Sequence, residues 1–110
     1  MKEHLLKNLT KIALCCVATL IVTPAFAQSS GADTYKAKCQ MCHGADGLAA
    51  TPMGKMYAIP SFKSPAVAKA SEADLFAAIK NGKNKMPKYG DKLTDDQIKA
   101  VLVHVRSLTK

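Results

Sequence analysis

The pentapeptide Cys39-Gln40-Met41-Cys42-His43 constrains this chain more than any other feature: two thiols two residues apart, with an imidazole directly after the second. Its weight depends on what else the chain has to hold itself together. The sequence runs to 110 residues with four cysteines, and Cys15 and Cys16 fall in an N-terminal segment that reads as a secretory leader. Lys2, Lys7 and Lys11 stand there against one acid, Glu3. An apolar run follows from Ile12 to Val22, and Ala25-Phe26-Ala27 precedes Gln28. That order of basic, apolar and small-residue regions predicts export and cleavage after Ala27. Removing 27 of 110 residues leaves an 83-residue domain spanning 28–110, its formal charge reduced from +8 to +6 with the three lysines and one glutamate of the leader. A domain of that size buries little surface and ordinarily needs a disulfide framework, a metal or a cofactor. Two cysteines exclude several disulfides, so the composition points to a cofactor.

Two other readings of the N-terminus compete. No charged residue lies between Ile12 and Ala32, which suggests an uncleaved anchor. Its second half contains Pro24, Gln28, Ser29, Ser30 and Gly31, too polar for a span that needs about 20 mostly apolar residues. A lipoprotein signal fits less well, because Cys15 sits early in the apolar run and follows Leu14 rather than a small residue. The expected location is the periplasm, with no stable membrane insertion after cleavage.

The spacing C-x-x-C-H is that of covalent c-type haem attachment. Two thiols at this spacing reach the two vinyl groups of one porphyrin, and the adjoining His43 supplies an imidazole to the iron. A redox-active C-x-x-C lacks its βαβ context here. A zinc site lacks a second cysteine pair and the H-x₃₋₅-H spacing. A simple local disulfide remains open. The motif occurs once and the chain shows no internal repeat, so one haem is expected.

Downstream, Gly31–Met41 is predicted as a helix and Gly44–Pro60 as a loop rich in Gly and Pro. The loop is expected to continue through Ser61–Pro65, with a short turn at Ala66–Ala70. Ser71 reads as the cap of a helix over Glu72–Asn81 that Gly82 stops. Gly82–Lys92 is a loop containing Met86-Pro87. The last helix has the strongest signals. Thr94 and Gln97 form a capping box, Leu93 and Ile98 a hydrophobic staple, and Ile98, Val101, Leu102, Val105 and Leu108 an apolar stripe. No segment reads as a strand. The fold class is all-α, a few helices and long loops; loops this long in so small a domain need something large packed among them.

With these residues in view, the chain resembles the small bacterial class I cytochromes c over essentially all of its mature length. The matching features are Gly31, Tyr35, Cys39-Gln40-Met41-Cys42-His43-Gly44, Met86-Pro87 and the terminal Val105-Arg106-Ser107-Leu108. The resemblance implies one covalently attached haem wrapped by helices and loops, with Met86 as the second axial ligand opposite His43. It also implies a proline carbonyl holding the proximal imidazole N–H; Pro52 is the candidate, with Pro60 a weaker one. On the residues alone, Met86 ranks only slightly above Met53 and Met56, which together with Met41 otherwise read as packing residues. His104 departs from the family's usual aromatic residue. It is expected to pack against the N-terminal helix rather than to bind iron.

An iron held by both His43 and Met86 has no open position. That argues against enzymatic turnover and leaves one-electron transfer between respiratory-type redox partners. The competing function is a haem protein with a labile sixth ligand, sensory or enzyme-associated. Lys80, Lys83, Lys85, Lys88 and Lys92 flank Met86 against a single acid, Asp91, and predict docking to acidic faces of redox proteins. An ordinary solvated surface is the plainer reading of that cluster. Nucleic acid is a poor partner for an exported chain without interleaved aromatics. A monomer is expected.

Overall fold

The computed structural model describes residues 30–110, which form six helices in the order α1 (Gly31–Lys38), α2 (Gln40–His43), α3 (Pro52–Met56), α4 (Pro65–Ala68), α5 (Glu72–Asn81) and α6 (Asp95–Leu108). The leader, with Cys15, Cys16 and the expected cleavage point, lies outside the described residues. Among those described there is no sheet. The single bridge pairs Lys83 with Met86.

Capping side chains set where the longer helices begin. Ser30 Oγ accepts the Asp33 amide at the head of α1, and Ser71 Oγ accepts that of Asp74 at the head of α5. Asp33, Glu72 and Asp74 place negative charge against the exposed N–H groups of those first turns. At α6, Thr94 Oγ1 accepts from Gln97 N at 3.2 Å while Gln97 Oε1 accepts from Thr94 N at 2.8 Å, the predicted capping box. Gly82 ends α5 at φ 77°.

The predicted first helix is two. It breaks at Cys39, whose φ of −116° departs from the helical mean although its amide still reaches the Tyr35 carbonyl. The predicted loop Gly44–Pro60 also contains a helix, α3. Thr51 caps it through Gly54 N, and Pro52 occupies its first position, where a missing N–H costs nothing.

Helix α1 packs across α6, and α5 packs against α6 beside it. The core comprises Tyr35, Phe62, Ile79, Leu93, Ile98, Val101, Leu102 and Val105. Four of these belong to the predicted stripe of α6, and Leu93 closes the staple. The α1–α6 crossing is close because Gly31 has no side chain. A Cβ there would run into the backbone carbonyl of Ala100.

His104 meets α1 as expected, its ring 4.8 Å from that of Tyr35 at 54°. A phenol ring can occupy that half-buried place, so His104→Tyr should hold or raise the unfolding midpoint, by up to about 1 kcal/mol for a restored aromatic pair. It should also leave the absorption spectrum of the iron unchanged. Loss of a low-spin spectrum in this variant would make His104 a ligand instead.

Arg106 holds the remaining short helix. Its guanidinium donates to the carbonyls of Val67, Ala68 and Ala70 and pairs with Glu72 at 3.3 Å. Carbonyls at and just beyond the end of α4 are thereby tied to α6.

Candidate haem site

The motif folds as one tight turn. Cys42 N and His43 N both donate to Cys39 O, at 3.2 and 3.0 Å, and Gly44 N donates to Gln40 O. Three side chains from outside fix it. Tyr35 Oη, buried, donates to Gly44 O at 2.6 Å. Thr51 Oγ1 donates to Cys42 O at 2.8 Å. Phe62 stacks on the His43 ring, with centroids 4.8 Å apart and planes 29° apart. The turn is thus held by α1 from one side and by the α3 region from the other.

Both Cys39 and Cys42 are free thiols and half-buried. Burial pushes the Cys39 thiol up to about 11, opposed by Lys38 and reinforced by Cys42. Burial also lowers the His43 imidazole, which favours its neutral form, the form that binds metal. Met86 is half-buried and packs against the same core cluster as Cys39 and Tyr89. Met53 is half-buried as well, on α3, whereas Met41 and Met56 are 75% and 70% exposed and pack little.

Neither proline carbonyl reaches His43. Its Nδ1 is buried without a hydrogen-bond partner. Pro52 is the first residue of α3, three residues before Lys55 and directly after the cap Thr51.

The donor set fits a haem. It offers two unpaired thiols at the right spacing, a neutral imidazole with an unpartnered nitrogen, and a thioether on the same core. Met41 and Met56, on α2 and α3, and Leu48 and Tyr57, each beyond the end of one of them, are large apolar side chains left exposed. Sequence reading overlooked Phe62, Thr51 and Tyr89. Thr51 was legible as a cap because Thr-Pro begins helices. The other two act through contacts that spacing does not encode.

The lysine cluster is partly neutralised. Lys80 pairs with Asp95 at 2.9 Å and Lys88 with Asp91 at 3.2 Å, both at the surface, and Lys92 Nζ lies 5.6 Å from the centre of the Tyr89 ring. Lys83 and Lys85 make no ion pair among the described residues.

The family described as cytochrome C oxidase, cbb3-type, subunit III matches residues 26–105. The chain belongs to the monohaem class I cytochrome c family, which embraces cytochrome c6 and the cbb3 subunit III domain. A cytochrome c6 of Synechococcus sp. (strain ATCC 27167 / PCC 6312) is 31% identical over 104 residues, covering 91% of this chain and 88% of that one. The cbb3-type cytochrome c oxidase subunit FixP of Sinorhizobium medicae (strain WSM419) is 29% identical over 117 residues, but only 38% of its length is matched. Among solved structures, the KustC0563 c-type cytochrome superposes with a TM-score of 0.68 at 28% identity, over 74% of this chain and all of that one. The all-helical cytochrome c fold is therefore shared, and the chain is a monohaem electron carrier rather than an enzyme.

Proposed function

We propose that the chain is a periplasmic one-electron carrier, exported and cleaved after Ala27, whose haem is attached through Cys39 and Cys42 and whose iron is bound by His43 and Met86. The observation that carries this reading is the packing of Cys39 and Met86, far apart in sequence, against one buried cluster. A haem supplies reversible one-electron oxidation and reduction when bound. The chain's own residues hold and tune that site. His43 and Met86 would be the residues that hold the iron, and with both bound they would exclude outside ligands. Thioether ligation and burial raise the potential above that of bis-histidine sites. The leader's sequence supports export; among the described residues, no helix is long and apolar enough to cross a membrane.

Lys83 and Lys85, with the other lysines around Met86, would steer acidic faces of redox proteins toward this side of the domain. Exchange with such a partner should slow as salt rises, since charges are screened over about 8–10 Å at ordinary ionic strength. A rate indifferent to salt would reduce the cluster to a solubility feature.

One preparation tests the assignment. The protein purified from periplasm should have the mass of residues 28–110 plus one haem, and a six-coordinate low-spin spectrum with a weak far-red band in the ferric form. Met86→Ala should abolish that band and lower the potential. An unchanged spectrum would pass the ligand role to Met53 or Met56. High-spin iron in the native protein would favour a labile sixth position.

A further inference from the structure

We propose that Tyr89 is a positioning residue for Met86: its hydroxyl pins the Met86 loop to the end of α1, one residue before the turn that carries the haem thiols, and so holds the thioether against displacement. The inference rests on Met86 as axial ligand.

The loop between α5 and α6 has three sets of backbone fastenings and one from a side chain. At its tip, Lys83 N donates to Met86 O at 3.2 Å and Met86 N to Lys83 O at 2.9 Å. These backbone bonds tie Met86 only to its own neighbours. At its base, Tyr89 N donates to Ile79 O and Gly90 N to Lys80 O, both at 3.0 Å, sewing the loop to the end of α5. Lys92 N and Leu93 N return to Tyr89 O at the approach to α6. None of these ties the loop to the end of α1.

That tie is the phenol. Tyr89 Oη donates to Lys38 O at 3.1 Å, across 51 residues of chain, and Lys38 directly precedes Cys39. Among the described residues it is the single hydrogen bond joining 82–93 to 30–51. The Tyr89 ring also packs on the cluster that receives Cys39 and Met86. One residue therefore offers its amide to α5, its carbonyl to the approach to α6 and its hydroxyl to α1.

The partner carbonyl makes the role separable from stability. Lys38 is the last residue of α1, where carbonyls lack intrahelical donors, and it is exposed. Water replaces the phenol there at little cost to the fold. What is lost is the restraint on local opening of the loop, which is a smaller event than global unfolding.

The test displaces Met86 from the ferric holoprotein with imidazole, following loss of the far-red band. Tyr89→Phe should bind imidazole about two- to tenfold more tightly than the wild type, the range for one lost hydrogen bond. Its global unfolding midpoint should barely move. Thr94→Ala is the control: it removes the α6 cap, lowers the global midpoint and should leave the imidazole affinity unchanged. Equal imidazole affinity in Tyr89→Phe and wild type would overturn the proposal, as would an equal gain in Thr94→Ala. A wild-type protein without the far-red band would instead remove Met86 ligation itself.

Discussion

Replacing Cys39 and Cys42 together with alanine will give a polypeptide that yields no covalently bound haem to acid–acetone extraction and does not hold its helices. The first half follows from the chemistry, since the two thiols are the only candidates for thioether bonds in residues 28–110. The second follows from the size of the core. Eight buried hydrophobic residues make up its main cluster, while each ordered residue costs about 1–2 kcal/mol of backbone entropy. The loops 44–51 and 82–94 add few buried side chains of their own, and His43 and Phe62 rest on one another at the edge of the site. Far-ultraviolet circular dichroism of the purified variant should show mostly unordered chain. A haem-free variant that melts cooperatively with native helical content would prove the protein core sufficient.

Gly31→Val will cost about 3 kcal/mol or more, the upper end of what overpacking does. The new Cβ would run into the Ala100 carbonyl, a backbone atom of α6 that cannot rotate aside as a side chain can. Relief requires α6 to back away from α1, and Tyr35, Ile98 and Val101, buried at 1%, 0% and 1% exposure, would lose contact together. Against a total stability of about 5–15 kcal/mol, that is a large fraction. Gly31→Ala should act in the same direction. Urea melts followed by circular dichroism read the effect. A midpoint that stays in place for valine would mean the helices can part freely.

The parts of this structure legible in the sequence are those whose signals are local. Thr94 and Gln97 announce the start of α6, Ser71 and Gly82 bracket α5, and the cysteine pentapeptide marks its own turn. The break at Cys39 was hidden because the residues on both sides favour helix; only the geometry of a turn that must present two thiols and an imidazole interrupts them. Helix α3 was hidden by Pro52 and Gly54, read as loop formers. Pro52 serves as a first helical residue, and Gly54 is needed because the helix lies against the carbonyls of Ala49 and Cys42. His43 Nδ1 is buried and without a partner, so a carbonyl acceptor for it, the role expected of Pro52, is still to be supplied. Phe62 and Tyr89 could not be found at all, because their partners, His43 and Lys38, lie far away along the chain.

The pairing of α1 with α6 also orders events in time. Tyr35, Cys39 and Cys42 leave the ribosome well before Asp95–Leu108 exist to cover the face that Tyr35 presents. Bringing those segments together closes nearly the whole domain as one loop, an entropic cost met only when the last element arrives. The cysteine turn and Tyr35 are therefore complete in the emerging chain before the helix that packs across α1 exists, so the α1–α6 pairing is the last large contact the direction of synthesis allows.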